Sequence, residues 1–333
     1  MLGCNADAYE FGRLGLDLHA KTGLPAYVAK LNFLHGAFVQ HARMPLRTCM
    51  QYLDRAREGG IQYGDLGFAV FSCYHQAMIR LRIGDELGEL RTQVEQFIAL
   101  AQRFRHELIF SMLVTTRRVI AALMGDTESL TSLTDVQFDE ASFVESLQPV
   151  HLRFPLQFYV ASKQELCFLA GDYAGCLRWS RELEAQGKRG LAAHFVTDVP
   201  FYSGLVLAAT YADTADEEKP QLMERIGQHR ATLVSLAERC PVNHQHKYLL
   251  LSAEVARIGN RSGEAWEFYE LAIQAAHDNG FPHHEALAHE LFAKFYLHRG
   301  NRRAAGIHIQ NAYQGYLRWG ATAKTKLMLA EHS

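Results

Sequence analysis

Histidine is the residue type in clearest excess that could do chemistry, with 17 copies in 333 residues. Two clusters lie at 243–247 and 283–290. The helix of a zinc protease carries HExxH, whose two imidazoles share one face because they are four residues apart. Here His284 and His289 are five residues apart, which separates the rings by about 140° around a helix. The sequence therefore assigns no metal ligands, and we predict that most of these histidines are solvated, cap helices or contact a partner.

Other catalytic or nucleotide-binding patterns do not emerge from the sequence. Gly187-Lys188 is followed by Arg189, whereas a P-loop needs Ser or Thr after its lysine and a glycine five residues earlier. Ser, Cys and Lys residues do not occur in a recognisable nucleophile context. We therefore predict no catalytic residue and no cofactor, and expect that the chain is not an enzyme.

The elements that position these side chains are predicted to be helices along nearly the whole chain. Ala, Leu, Arg, Glu and Gln dominate and only eight prolines occur, a composition that favours helix. Short turns built on Gly, Asn or Pro define about fifteen helices, and such short connections make neighbours antiparallel. One helix precedes Gly23, another lies at 26–42, a third lies between Met44-Pro45 and Gly59-Gly60, and the rest lie at 64–82, 87–103, 106–124, 150–170, 173–187, 192–212, 218–239, 242–258, 262–279, 284–299, 302–317 and 320–331.

The least regular stretch follows Gly125, is rich in Ser and Thr, and ends at Phe138-Asp139-Glu140. It predicts three segments: N-terminal helical repeats at 1–128, an irregular linker or insert at 129–149, and C-terminal repeats at 150–333. The two repeat segments are expected to form one continuous solenoid, because each unit of a repeat array buries its face only against its neighbours.

A repeat is visible near the C-terminus, where four positions recur at an offset of forty residues. Small residues at three of them allow close helix packing, and a large residue fills the gap between. The positions are Ala253, Ala265, Tyr269 and Ala272 in one copy and Ala293, Ala305, Ile309 and Ala312 in the next, with degenerate copies beginning at Gly84-Asp85 and Gly171-Asp172. This pattern is typical of tetratricopeptide-type repeats. The predicted fold is all-α, a right-handed superhelix of antiparallel helix pairs.

The register of the repeat predicts which side chains line a concave groove, because the first helix of each pair faces inward in such arrays. The candidates are Lys247, Glu254 and Arg257 in one copy and Glu290, Lys294 and His298 in the next. Charged residues along a groove suit recognition of a peptide. The alternative is that they form the solvated faces of amphipathic helices.

Charge is unevenly distributed at the C-terminal end, since no Asp or Glu occurs from Leu291 to Ala330. The predicted basic face comprises Arg299, Arg302, Arg303, Arg318, Lys324 and Lys326, and Lys294 lies in the same stretch. A basic end on a chain of net charge −2 favours an acidic neighbouring domain, with a plain solvated face as the alternative. Nucleic acid is disfavoured, because aromatic residues are not interleaved as in RNA-binding modules.

The compartment is predicted to be the cytoplasm. The six cysteines, none paired as CxxC, are predicted to be buried free thiols, which fits a reducing environment. They are Cys4, Cys49, Cys73, Cys167, Cys176 and Cys240. The first residues lack the basic and apolar regions of a secretory signal, and no apolar run is long enough to span a membrane.

The same C-terminal residues carry a family resemblance. They include His246-Lys247-Tyr248, Ala253-Glu254, Tyr269-Glu270, Asn279-Gly280-Phe281, Glu285-Ala286-Leu287-Ala288, Ala293-Lys294-Phe295-Tyr296, Arg299-Gly300, Ala312-Tyr313 and Trp319-Gly320-Ala321. This sequence resembles the helical repeat region of very large signalling proteins. Those proteins carry serine/threonine kinase-like and AAA-type predicted ATPase modules upstream, and GAF and sensor histidine kinase modules downstream. The resemblance covers residues 60–330 and is most specific at 243–326.

The resemblance implies a non-catalytic role in interaction, sensing and relay between an ATPase switch and an output kinase of a two-component system. The kinase and ATPase motifs themselves are missing from this sequence, which predicts a fragment or a stand-alone relative. Partners would be other domains of the same chain, or partner proteins and peptides.

Two other functions remain open. One is the sensor region of a LuxR-type transcription activator, which would bind a small inducer and be stabilised by it. The other is a helical metal-dependent enzyme that uses the histidine clusters around His284 and His289.

Overall fold

The computed structural model describes residues 5–186 and 195–332. Within these ranges the chain forms sixteen α-helices and no β-strand, apart from one isolated bridge between Asp135 and Phe138. The predicted all-α class is therefore confirmed. Cys4, the Gly187-Lys188-Arg189 segment and the predicted helix boundaries at 187 and 192 lie outside the described residues.

The structure divides into two compact units, residues 1–117 and 118–333. The helices of the first unit are α1 (Asn5–Thr22), α2 (Val28–Leu34), α3 (Met50–Tyr63), α4 (Leu66–Arg82) and α5 (Leu87–Arg103). Helix α6 (Glu107–Met124) contains the residues on both sides of the division. The helices of the second unit are α7 (Glu140–Ser146), α8 (Arg153–Leu169), α9 (Tyr173–Gln186), α10 (Phe195–Ala209), α11 (Lys219–Arg239), α12 (Pro241–Ile258), α13 (Ser262–Asp278), α14 (Pro282–His298), α15 (Arg302–Trp319) and α16 (Thr322–His332).

The first unit departs from the predicted helices at two places. The single helix expected at 26–42 is α2 followed by a π-helical turn at His35–Val39 and a 3-10 turn at Gln40–Ala42. The third predicted helix does not end at Gly59-Gly60 as expected, because both glycines lie inside α3. A β-carbon at Gly59 would clash with Val28 Cγ1, so this glycine serves close helix packing. The helix ends instead at Gly64, which adopts the left-handed conformation with φ of 83°.

The predicted linker or insert is attached to the second unit by charged side chains. The guanidinium of Arg118 donates to Leu133 O from Nε at 2.9 Å, and its NH1 group lies 2.6 Å from Asp135 Oδ2. The ammonium of Lys163, on α8, lies 2.7 Å from Glu140 Oε1 at the start of α7. Because Arg118 and Lys163 are buried, these bonds fix the irregular segment rather than leave it as a tether.

Helices α8 to α15 alternate between two kinds. The even-numbered ones among them are buried on nearly every side, as α8 shows by burying 14 of its 17 residues. The odd-numbered ones bury one face only, as α9 shows with Cys176, Ser180 and Leu183. Each even-numbered helix of this set packs on the odd-numbered helix that follows it, and α10 also packs on α8 and α12. Helices α8, α10, α12 and α14 therefore form the interior, and α9, α11, α13 and α15 cover it.

The turns between the last helices repeat one geometry at intervals of twenty residues. Left-handed residues close α12, α13, α14 and α15, and the next residue donates its amide to the carbonyl five positions back. The left-handed residues are Asn260, Gly280, Gly300 and Gly320, with φ of 57°, 74°, 73° and 92°. The bonds run from Arg261 N to Ala256 O, Phe281 N to Ala276 O, Asn301 N to Tyr296 O and Ala321 N to Tyr316 O, at 2.9 to 3.0 Å. This Schellman closure satisfies the last helical carbonyls.

The repeat positions identified in the sequence occupy equivalent places. All are buried to within 2% exposure except Ile309, which is half-buried. The five cysteines inside the described ranges are buried free thiols, as predicted. Of the helices described, none combines the length and hydrophobicity needed to cross a bilayer.

Candidate functional site

Most of the predicted groove residues lie in the interior of the second unit. Lys247 and Glu254 are 4% exposed and Glu290 is 5% exposed. Arg257 and Lys294 are half-buried, and only His298 is exposed. These side chains therefore do not form one open row of charges, because the even-numbered helices that carry them contact other helices on several sides.

Glu290 on α14 is the centre of a buried ionic cluster. Its Oε1 atom lies 2.9 Å from Lys324 Nζ and 3.0 Å from Lys294 Nζ. The hydroxyl of Tyr316 donates to Oε2 at 2.9 Å. Lys324 also donates to Leu169 O at 2.7 Å. One carboxylate thus links α14 to α15 and α16, and Lys324 extends the link to the end of α8.

Electrostatics fixes the charge state of this cluster. Burial raises the pKa of the Glu290 carboxyl, but the charges of Lys324 and Lys294 outweigh burial and lower that pKa from 4.5 to about 2. Burial and the neighbouring Glu290 charge raise the pKa of Tyr316 well above its usual value. At neutral pH the carboxyl is ionised and the phenol is neutral. A general base needs a pKa near the working pH, so Glu290 is poorly suited to proton transfer.

The other buried groove charges are also paired. Glu254 Oε2 lies 2.6 Å from the NH2 group of Arg257, and Oε1 accepts from the hydroxyl of Tyr269. Lys247 pairs with Asp198 on α10, and both side chains are 5% exposed. Removing one partner of such a buried pair leaves an uncompensated charge in the interior. These residues therefore hold helices together in the folded unit.

The predicted basic face is exposed, with one correction. Lys324 is 3% exposed and pairs with Glu290, so it contributes no charge to the surface. Arg299 is exposed and donates to Ser262. The remaining four cations are exposed and make no ion pair within residues 5–186 and 195–332: Arg302, Arg303, Arg318 and Lys326.

Part of this face forms a continuous stripe on the outer side of α15. Its residues recur at helical spacing and all are exposed. We define the α15 stripe as Arg303, Ile307, Gln310, Gln314, Leu317 and Arg318. Ile307 is 58% exposed and Leu317 is 44% exposed, while the two arginines stand at opposite ends. The arginines are fifteen residues apart, or about 22 Å along the helix axis.

The first turn of α15 adds to the unbalanced positive charge. Asn301 caps the helix by accepting from Ala304 N at 3.1 Å, but no acidic residue follows in this turn. Arg302 and Arg303 occupy the turn instead. The N-terminal end of a helix carries partial positive charge and favours anions. These two arginines therefore face an electrostatic penalty that a negatively charged partner would relieve.

The histidine clusters are not mainly solvated or capping groups, and that prediction is wrong for three of them. His246, His283 and His284 are buried to 4% exposure or less, since they lie on α12 and α14. His246 Nε2 lies 3.0 Å from His284 Nδ1, and His283 packs beside Trp319. No group of three or more His, Cys, Asp or Glu side chains suited to a metal occurs in the described ranges.

Cavities among the described residues of the second unit include one along α11 and one between α14 and α15. The larger, of about 640 Å³, lies along α11 and reaches Val255 and Arg261. Its lining is mostly apolar, with Met223, Ile226 and Val234 among its residues. The smaller, of about 170 Å³, lies between α14 and α15 and has a polar lining. Sequence reasoning missed both, because each depends on how far two helices stand apart.

Neither the known protein-family models nor the curated proteins give a match to this chain.

Proposed function

We propose that the chain is a non-catalytic interaction and relay region of a multidomain signalling kinase or ATPase. In this proposal the helix pairs form a right-handed superhelix similar to tetratricopeptide repeats. The evenly spaced left-handed turns and the equivalent burial of the repeat positions support it. A stack of equivalent hairpins suits relay, because each unit contacts its neighbours and passes a displacement on to them.

The α15 stripe is the proposed binding surface, and the unpaired cations are the observation that carries this proposal. The interior charges predicted to bind a ligand are already paired, whereas Arg303 and Arg318 are exposed and unpaired inside the described ranges. Apolar side chains lie between them. The complementary partner is an amphipathic helix with an apolar face and acidic residues toward both ends. Such a helix could belong to an acidic neighbouring domain or to a partner protein.

Peptide binding tests this surface directly. We would measure the fluorescence anisotropy of an amphipathic helical peptide about 18 residues long, which is enough to span the stripe. The matched peptide has Gln in place of every Glu. Binding of the acidic peptide should weaken as salt screens the charges, and the Gln peptide should bind far more weakly. Equal binding of the two peptides would contradict an acidic partner.

Charge reversal on the protein supplies the matched control. The double variant Arg303→Glu and Arg318→Glu should weaken binding of the acidic peptide at least tenfold. The control is Arg181→Glu with Arg239→Glu, which changes net charge equally at exposed arginines on α9 and α11. Binding by the control should remain close to wild type. If both double variants weaken binding equally, the attraction reflects net charge and not the α15 stripe.

The multidomain part of the proposal has its own test. An immunoblot of the source cells with an antibody against this region should reveal a polypeptide several times larger than 37.6 kDa. A band at 37.6 kDa would leave an interaction protein without attached kinase or ATPase modules.

Small-molecule sensing, as in LuxR-type activators, is a second candidate that the larger cavity favours. A volume of about 640 Å³ with a mostly apolar lining matches sites that hold small ligands. Gly227 lies on the cavity wall, and a β-carbon there would meet no atom within 4 Å. Gly227→Trp should therefore place a ring in the cavity without a clash at its β-carbon. An inducer that raises the melting temperature of wild type but not of this variant would support sensing at this cavity.

A further inference from the structure

Two histidines that the sequence separates by nineteen residues meet between α14 and α15. His289 Nδ1 lies 2.9 Å from His308 Nδ1, and the two rings are tilted by 37°. Both side chains are half-buried. Phe292 and Tyr296 pack against His308, with ring centroids at 4.4 and 5.6 Å. The aromatic rings restrict the orientation of the imidazole, so the pair of nitrogens is held in place.

We propose that His289 and His308 form a bidentate site for a divalent copper or nickel ion. Imidazole nitrogens bind divalent metals at about 2.0 Å, and two such bonds with nitrogens 2.9 Å apart enclose an angle of about 90°. That is the angle between adjacent ligands of a square-planar or tetragonal site. Copper(II) and nickel(II) favour this geometry with nitrogen ligands, and copper(II) binds most strongly in the series of divalent metals.

Without metal, one of the two Nδ1 atoms donates a hydrogen bond to the other.

The surroundings leave room for further ligands. The cavity of about 170 Å³ is lined by His289 and by Glu285, which lies one turn earlier on the same face of α14. Arg318 lines the same cavity but lies ten residues beyond His308, about 15 Å along α15. Glu285 Oε2 lies 3.3 Å from His277 Nδ1 and is not assigned as a ligand. Water can occupy the remaining positions of the ion.

Copper binding by the full chain tests the site. We would titrate metal-free protein with Cu²⁺, measure affinity by calorimetry, and record electron paramagnetic resonance spectra of the one-to-one complex. Wild type should bind one ion more tightly than any other, with hyperfine structure from two nitrogen ligands. His289→Asn and His308→Asn should each weaken that site at least tenfold and remove the two-nitrogen signal.

The control addresses the other histidines of the chain. His298 is exposed on the same helix, and His298→Asn should leave the tight site unchanged. If all three histidine variants bind copper as wild type does, the ion is held only adventitiously by exposed histidines. If wild type binds no ion tightly, the pair is a hydrogen bond alone. Either outcome overturns the proposal.

The shift in melting temperature on adding copper tests the site even if a histidine variant is less stable than wild type. Copper should raise the melting temperature of wild type and of His298→Asn, because a ligand that binds the folded state stabilises it. It should not raise that of His308→Asn, whatever the melting temperature of this variant without metal. An equal copper-induced rise in the His308→Asn variant would contradict the assignment.

Discussion

Glu290→Gln should destabilise the second unit by about 3 kcal/mol at pH 7, since it removes one charge from a buried cluster while keeping the shape of the side chain. The side chain of Lys324, only 4% exposed, would remain next to a neutral amide. Lys294 is more exposed, at 35%, and can be hydrated in part. The destabilisation should therefore come mainly from the uncompensated charge of Lys324.

The lowered pKa of Glu290 and the usual cost of breaking a buried ion pair give a similar magnitude. The pKa of Glu290 is lowered from 4.5 to about 2, and a change of one in pKa corresponds to about 1.4 kcal/mol, so the ionised form contributes about 3 kcal/mol. Removing one partner of a buried ion pair costs about 3 to 5 kcal/mol. Because the folded pKa is depressed, this stabilisation is present above pH 4.5 and is lost as the pH falls toward 2. The difference between wild type and Glu290→Gln should shrink over that interval.

Urea denaturation followed by tryptophan fluorescence reports on the second unit alone. The three tryptophans of the chain, Trp179, Trp266 and Trp319, all belong to it. The matched control is Glu264→Gln, which breaks an exposed ion pair with Arg261. Exposed pairs contribute at most about 1 kcal/mol, so the control should unfold close to wild type.

A second substitution separates charge from packing. Adding Lys324→Met to Glu290→Gln removes the unpaired charge and should restore part of the lost stability. Two results would refute the reasoning. One is a loss below about 1 kcal/mol in Glu290→Gln, which is the range of exposed pairs. The other is a double variant that loses as much stability as the two single variants lose together, or more. That result would mean that the charges of Glu290 and Lys324 do not interact.

Four further substitutions should change stability in a definite direction. Gly306→Ala should stabilise the second unit by about 0.5 to 1 kcal/mol in urea denaturation, because nothing lies within 4 Å of the added methyl and alanine favours helix. Gly315→Ala on the same helix should instead destabilise it, because its β-carbon would come within 2.7 Å of Ala286 Cβ. Asn301→Ala removes the cap of α15 and should cost about 1 kcal/mol by the same assay. Burial and, to a smaller extent, the charge of His41 lower the pKa of His75 from 6.5 to about 3. Between these pH values the unfolded chain binds a proton that the folded chain does not, so the free energy of unfolding should fall as the pH falls from 6.5 to 3. Circular dichroism should show a less steep fall in the His75→Gln variant.

The helices could be predicted because residues close to each boundary in the sequence determine where a helix ends. Gly280 and Gly300 tolerate the left-handed conformation that closes a helix, and the structure uses both in that way. Gly59 gave a false boundary because it faces Val28 across a close helix contact. A glycine that ends a helix and one that allows close packing look alike until the neighbouring helix is known.

The burial and ion pairing of the charged residues were harder to predict. Periodicity placed Glu254 and Glu290 on inward-facing positions, but it did not show that other helices cover those positions. One signal could have found the pairing: each glutamate is followed, on the next helix, by a tyrosine that donates to it, Tyr269 or Tyr316. The contact between His289 and His308 had no such signal, because it depends on the stagger of two helices.

The binding surface can be tested most directly by photo-cross-linking in the source cells. A photoreactive amino acid at position 314, in the middle of the α15 stripe, should form a cross-link to an acidic amphipathic helix, identified by mass spectrometry. The control is position 274, the exposed equivalent on α13 forty residues earlier. We expect the acidic segment to be captured at 314 and not at 274. Equal capture at both positions, or capture of a segment without acidic residues, would contradict the claim that this basic surface is where the chain binds its partner.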